Sequence, residues 1–364
     1  MNVAQSPRGC AGPSRHGYLR ATLTGSTLGP PSQAPNLSNL RATTVTCSLR
    51  HSLERPFWPQ ATDIPIIPPQ AASQSLLPKS AGLQANMDLS KRDSMELPEA
   101  DRAFLETHLP SSRSTSRPDL PFTTLTFATS LDSALALAPG TRTVLSGPQS
   151  KAMTHYLRSR HDGILIGVGT ALADDPGLNC RIAGVGGYGG QGLEGQPRPV
   201  VIDPSARWDF SENSKLFQLC AQGQGRAPWI VTALQQLPAD KAGLLEKYGG
   251  KYISLKMETN DSGRHHIDWH DLLVTLRRNG LRSIMVEGGA QVINSLLEPQ
   301  SMSLVDSVIV TIAPTWLGQG GVVVSPARRR DSTGTPVAAA RLTNIQWHPV
   351  GEDVVLCGQI KRDS

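Results

Sequence analysis

Two short stretches of this chain carry residues that could bind or transform a small anionic molecule. The first is "DGILIGVGTALADDPGLNCR", from Asp162 to Arg181, with an apolar run, a Gly-x-Gly-Thr turn and two adjacent carboxylates. The second is "SIMVEGGAQVINSLL", from Ser283 to Leu297, in which Glu287 closes a β-rich run and Gly288 and Gly289 precede a helical pattern. A metal site, a phosphate cradle and a dinucleotide site are all compatible with the first stretch. Adjacent residues on a helix point in different directions, so Asp174 and Asp175 do not chelate one ion together. No histidine or cysteine cluster completes a metal shell. Asp175, before Pro176, is expected to end a helical turn. Asp174 is then left to bind a hydroxyl or amide, and Thr170 is expected to cap the turn. In the second stretch, unpaired backbone N–H groups at a helix start would favour an anion such as a phosphate. Arg158 and Arg181 flank the first stretch, and forked guanidinium donors suit a phosphate.

These residues need a scaffold. "PFTTLTFATSLD", "DGILIGV", "PRPVVID", "APWIVTA", "GKYISL", "SIMVEGG" and "LVDSVIVTIAP" read as strands. Ser146 and Pro148 open a predicted helix over 146–160, and further helices are predicted over 268–280 and 290–299. Strand–helix alternation with apolar strands predicts a largely parallel sheet covered on both faces. "DVVLCGQI" is expected to pair with "ARLTNIQWHP" as an antiparallel edge. The reading is one α/β domain over 118–362.

"GVGGYG", Gly184 to Gly189, satisfies the G-x-G-x-x-G dinucleotide pattern. That pattern must close a strand and open a helix, and here further glycines stand where the helix should begin. Residues 184–195 are expected to be a flexible glycine-rich insertion.

Composition separates the first third from the rest. Residues 1–117 are rich in Ser, Thr and Pro and hold 12 Lys and Arg against 8 Asp and Glu; the remainder holds 23 against 22. The expectation is a disordered leader over 1–117, a start-site artefact or a targeting segment. Its prolines argue against the amphipathic helix of a mitochondrial import signal, and a cytoplasmic protein is expected. The balanced charge of the remainder excludes a nucleic-acid partner, and the absence of a long apolar run excludes a membrane span. Five scattered cysteines form neither a disulfide framework nor a zinc knuckle.

"TLTFATSLD", "MTHYLRSRHDGILIGVGTALADDPGLNCR", "PRPVVID" and "VEGGAQVINSLL" together resemble the riboflavin-pathway pyrimidine reductases, in their fungal-type monofunctional form. The resemblance implies a dihydrofolate-reductase-like α/β fold with a mixed, mostly parallel sheet flanked by helices, and a homodimer. It implies NADPH as cofactor and a phosphorylated ribosylamino-pyrimidine as substrate, with hydride delivered to C1′ so that ribosyl becomes ribityl. By the same resemblance Thr170, Asp174, Ile202, Glu287, Gly288, Gly289, Ala290 and Gln291 contact the cofactor. Arg158, Leu178 and Arg181 face the substrate. Glu287 and Asp174 are the candidates for proton delivery. A dihydrofolate-reductase-type pterin reductase and a non-catalytic NADP-binding protein are the alternatives.

Overall fold

A computed structural model describes residues 94–111, 117–259 and 265–361. The apolar runs read as strands all form strands: β1 (Phe122–Thr129), β2 (Gly163–Gly167), β3 (Arg198–Ile202), β4 (Trp229–Thr232), β5 (Lys251–Ser254), β6 (Ser283–Gly288), β7 (Ser307–Ile312), β8 (Leu342–Val350) and β9 (Asp353–Ile360). They make one nine-stranded sheet in the order β8-β9-β7-β1-β6-β2-β3-β4-β5. Every pairing from β7 to β5 is parallel. β9 and β8 add the expected antiparallel edge. The result is the expected mixed, mostly parallel sheet, flanked by helices on both faces.

The helices are α1 (Glu99–Glu106), α2 (Pro148–Ser159), α3 (Val168–Asp174), α4 (Lys215–Ala221), α5 (Ala239–Lys247), α6 (Trp269–Arg278) and α7 (Ala290–Leu296). Successive strand side chains point to opposite faces, so each apolar run feeds two cores. Leu165, Val200, Ile202, Val231, Ile284 and Val286 join a cluster with α6 and α7. Ile164, Ile166, Val201 and Ile230 join one with α4 and α5. Met285, Ile309, Val355 and Cys357 pack with α2. α6 shows why such helices form here. Trp269, Leu272, Leu273 and Leu276 recur at helical spacing and are all buried, and Asp268 caps the start by accepting the Asp271 N–H at 3.0 Å.

Two expectations change. Ser146 does not cap α2: Gly147 is the N-cap, and the Asp353 carboxylate accepts the Gly147 N–H at 2.9 Å. The folded region also extends well before residue 118. Leu97, Leu105 and Leu109 are buried in the same cluster as Met153 and Leu157 of α2. Leader-wide composition hid this segment, because three leucines that α1 and its flanks bury weigh little in an average over 117 residues. The rest of the predicted leader, residues 1–93 and 112–116, lies outside the described residues. Among the described residues, no helix is long and apolar enough to cross a membrane.

Candidate active site

Register decides what the sheet edge presents. Gly167 at the end of β2 lies opposite Ile202 at the end of β3, and Ile166 lies opposite Gly288 at the end of β6. The loops after β2 and β6 therefore leave one edge side by side. They do so at the carboxyl ends of adjacent parallel strands, where α/β sheets bind ligands.

β2 runs straight into α3, with extended Gly167 as N-cap. Thr170 is thus inside the first turn, not at the cap position expected for it. Its hydroxyl instead faces the other loop, since a β-carbon on Gly289 would lie 3.1 Å from Thr170 Oγ1. Gly288 has φ +113°, and a β-carbon there would meet Ile293 at 2.9 Å. Only glycine accepts that backbone angle without strain. The Gly288–Gly289 peptide is cis. Gly289 is the N-cap of α7 and no side chain caps it, so Ala290 and Gln291 open that helix.

The two aspartates separate as the sequence suggested. Asp175, at φ +39°, ends α3, and its carboxylate accepts the backbone N–H of Lys215 at 3.1 and 3.3 Å, where α4 begins. Asp174 keeps a buried Oδ1 with no hydrogen-bond partner. Burial pushes its carboxyl above the usual range, with Arg142 pulling the other way. A desolvated acceptor without a partner is costly unless a ligand donor satisfies it.

On the neighbouring side, Arg158 in the last turn of α2 grips Glu287 with a fork. Nε donates to Oε1 at 3.0 Å and Nη2 to Oε2 at 2.9 Å, with the two side chains only 14% and 18% exposed. Nη1 donates to the Asn179 carbonyl at 3.1 Å. Arg158 is therefore engaged by protein partners rather than freestanding. It ties the Glu287 turn to the loop from Leu178 to Arg181, and keeps only its remaining N–H groups for a substrate. Leu178 has φ +52° and its side chain is buried among Ile164, Phe217 and Ile230. Ile202 is equally buried. Each can offer a ligand little beyond its main chain.

Arg181 donates its backbone N–H to His155 Nδ1 at 3.1 Å, while its Nη2 lies 3.9 Å from Met95 Sδ. The sequence reading missed His155, one turn before Arg158 on α2. Burial, followed by the charges of Arg158, Arg181 and Lys151, pushes its pKa down to about 2, so it accepts as a neutral ring. Lys151 was also missed. Its own partial burial, then Arg181, Arg142, Lys215 and Arg158, hold its ammonium below the usual lysine range. Cations gathered in this way favour an anionic ligand. The only signal in the sequence was basic residues without an acid, Lys151 and Arg158 on α2 and Arg160 just after it.

The RibD C-terminal domain family model matches residues 121–356. The 2,5-diamino-6-ribosylamino-4(3H)-pyrimidinone 5′-phosphate reductase of Candida glabrata is 40% identical over 260 residues, 71% of this chain and 96% of that protein. The enzyme of the same name from Saccharomyces cerevisiae is 38% identical over 261 residues, covering 71% and 95%. Among solved structures, the Saccharomyces riboflavin biosynthesis reductase superposes with a TM-score of 0.56 at 35% identity, over 72% of this chain and all of the other. RibD of Acinetobacter baumannii shares the fold, with a TM-score of 0.52 at 20% identity over 67% of this chain and 59% of its own.

Proposed function

Because this chain belongs to the RibD C-terminal domain family, we propose that it is a reductase of riboflavin biosynthesis. It reduces the ribosyl side chain of 2,5-diamino-6-ribosylamino-4(3H)-pyrimidinone 5′-phosphate to ribityl, using NADPH, as a cytoplasmic homodimer. The observation that carries this reading is the side-by-side exit of the Thr170–Asp174 segment and the Gly288–Gln291 turn, with an unsatisfied carboxylate oxygen at Asp174. A dinucleotide fits there on two counts: the glycines keep the turn open beside Thr170, and Asp174 Oδ1 lacks a donor.

When bound, the reduced nicotinamide supplies the hydride. Thr170, Asp174, the main chain at Ile202 and the Gly288–Gln291 turn hold the dinucleotide. Arg181, Lys151 and the uncommitted N–H groups of Arg158 hold the substrate phosphate, and the Leu178 main chain borders the substrate. Glu287, held by the Arg158 fork, stands where the two ligands meet. The protein's contribution is to fix both reactants in near-attack geometry and exclude water, so no strong base is needed. For proton delivery, Glu287 has both oxygens engaged by Arg158. Asp174, half-buried, with its carboxyl held above the usual range by burial and with Oδ1 free of protein partners, is the candidate left uncommitted. A pterin reductase would want an acid on an early helix, and α2 has none.

The test is steady-state turnover of purified protein with NADPH and the ribosylamino-pyrimidine phosphate, read by loss of reduced nicotinamide and by mass of the ribityl product. Pyrimidine-dependent oxidation is expected. NADPH binding without turnover, or turnover of a dihydropterin alone, would overturn the reading.

A further inference from the structure

The glycine-rich stretch that fails as a dinucleotide motif is not a loose excursion. Gly186 N–H donates to the Glu194 carbonyl at 2.8 Å and Gly190 N–H to Val185 O at 3.0 Å. A β-carbon on Gly190 would sit 2.2 Å from the Gly184 carbonyl, and one on Gly186 2.6 Å from the Glu194 nitrogen. Its glycines allow the chain to fold back on itself, and the knot they make is aimed at the substrate loop. Tyr188, 5% exposed, accepts from Asn179 Nδ2 at 2.8 Å. Gln196, 4% exposed at the end of the insertion, accepts the Cys180 N–H at 2.8 Å and donates to the Cys180 carbonyl at 2.7 Å and to the Gly186 carbonyl at 2.8 Å. One primary amide thus satisfies both polar groups of the residue between Asn179 and Arg181. Arg226 in turn anchors the knot, donating to the carbonyls of Gln196 at 2.9 Å and Leu193 at 3.1 Å.

The loop needs such a hold. Leu178 is a bulky residue at φ +52°, a left-handed conformation that persists only where surroundings over-determine it. The next three residues are each gripped from a different part of the chain. Asn179 O accepts from Arg158, Cys180 is bracketed by Gln196, and Arg181 N–H is held by His155. No local element would otherwise keep these groups in register with the cofactor turn.

We propose that Gln196 is a positioning residue. Its amide, braced by the glycine-rich knot and Tyr188, sets the backbone of the Leu178–Arg181 loop and so the affinity for the phosphorylated pyrimidine, without touching that ligand. This rests on the substrate assignment above and deepens it. The distinguishing feature is selectivity: the cofactor turns receive nothing from Gln196.

The test compares wild type with Gln196→Met, which keeps the volume and loses the amide, and with Tyr188→Phe, which removes one hydroxyl and keeps the ring. Amide hydrogen exchange over Leu178–Arg181 should accelerate roughly tenfold or more in Gln196→Met, matching the loss of more than one buried hydrogen bond. The KM for the pyrimidine phosphate should rise by a similar factor. The Kd for NADPH should stay within about twofold, and exchange in β2 and β6 should be unchanged, since the hydrogen bonds of the amide go to Cys180 and Gly186 and not to those strands. Tyr188→Phe should show the same pattern at about threefold, in line with a single lost bond, and it guards against misfolding of the first variant. Unchanged exchange, faster exchange with an unchanged substrate KM, or NADPH affinity falling in parallel would each overturn the proposal. A wild-type protein that does not turn over the pyrimidine would instead sink the functional reading, while the exchange comparison still decides whether Gln196 holds the loop.

Discussion

The two halves of the site are built in opposite ways. The proposed cofactor side consists of two short stretches, Gly167–Asp174 and Val286–Gln291, each a strand end that passes into a helix within a few residues. The proposed substrate side is a loop of four residues, Leu178–Arg181, with little structure of its own. It is held by α2 through Arg158 and His155, by the glycine-rich knot through Tyr188 and Gln196, and by the segment before α1 through Met95, whose N–H donates to Arg181 O at 2.7 Å. A locally encoded site tolerates change at a distance, whereas a site assembled from remote supports carries the risk of each of them. Substrate affinity should therefore be the more fragile of the two functions.

The largest expected effect comes from removing a support that is also part of the core. A chain beginning at residue 118 loses Leu97, Leu105 and Leu109, and burying each such side chain contributes roughly 1.5–3 kcal/mol. The sum is comparable with the whole stability of a typical domain. That chain should unfold or melt far below one beginning at residue 94, as followed by circular dichroism. Equal melting temperatures would show that the segment only decorates the domain.

Next is the junction between the halves. Arg158→Ala leaves the half-buried Glu287 carboxylate without its partner, at a cost of roughly 1–3 kcal/mol. Both the NADPH Kd and the pyrimidine KM should rise, because Arg158 touches Glu287 on one side and Asn179 on the other. Arg158→Lys should recover little, since an ammonium cannot reproduce the fork. An effect confined to one ligand would mean that the halves are not coupled through this pair.

The last effect is on pH, and it appears only in acid. Burial, ahead of the neighbouring arginines, pushes His155 down to about 2, and burial pushes His161 down to about 4. Both folded values lie below the unfolded value near 6.5, so the unfolded chain binds more protons in acid. The stability they contribute is fully present above that pH. It is lost as pH falls, at about 1.4 kcal/mol per unit for each histidine. For His161 the loss ends near its folded value; for His155 it continues further down. Denaturant melts between neutral pH and the onset of acid unfolding should show this slope. His161→Gln, which can still engage Thr124 and the Leu157 carbonyl, should flatten it. A slope unchanged by that substitution would remove His161 from the account.

The same division explains what could be read in advance. The sheet was legible because its strands are buried on both faces, which writes near-continuous apolar runs such as Gly163–Gly167 and Arg198–Ile202 into the chain. The separate fates of Asp174 and Asp175 were legible because helix geometry and a following proline act locally. Thr170 was misplaced as a cap because helix boundaries shift by a residue or two with tertiary context. The commitment of Arg158 to Glu287 spans 129 positions and leaves no spacing signal. The bonds of Gln196 to Cys180 are invisible for another reason. A glutamine beside a glycine-rich run looks solvated until the fold buries it.

NADPH is proposed to lie across the loops that follow β2 and β6, with the substrate next to it. A crystal structure of the protein with NADPH tests this most directly. The cofactor should contact Thr170, Asp174 and the Gly288–Gln291 turn, with a donor bonded to Asp174 Oδ1. A cofactor seated away from both loops, or an Asp174 Oδ1 still without a partner, would contradict it.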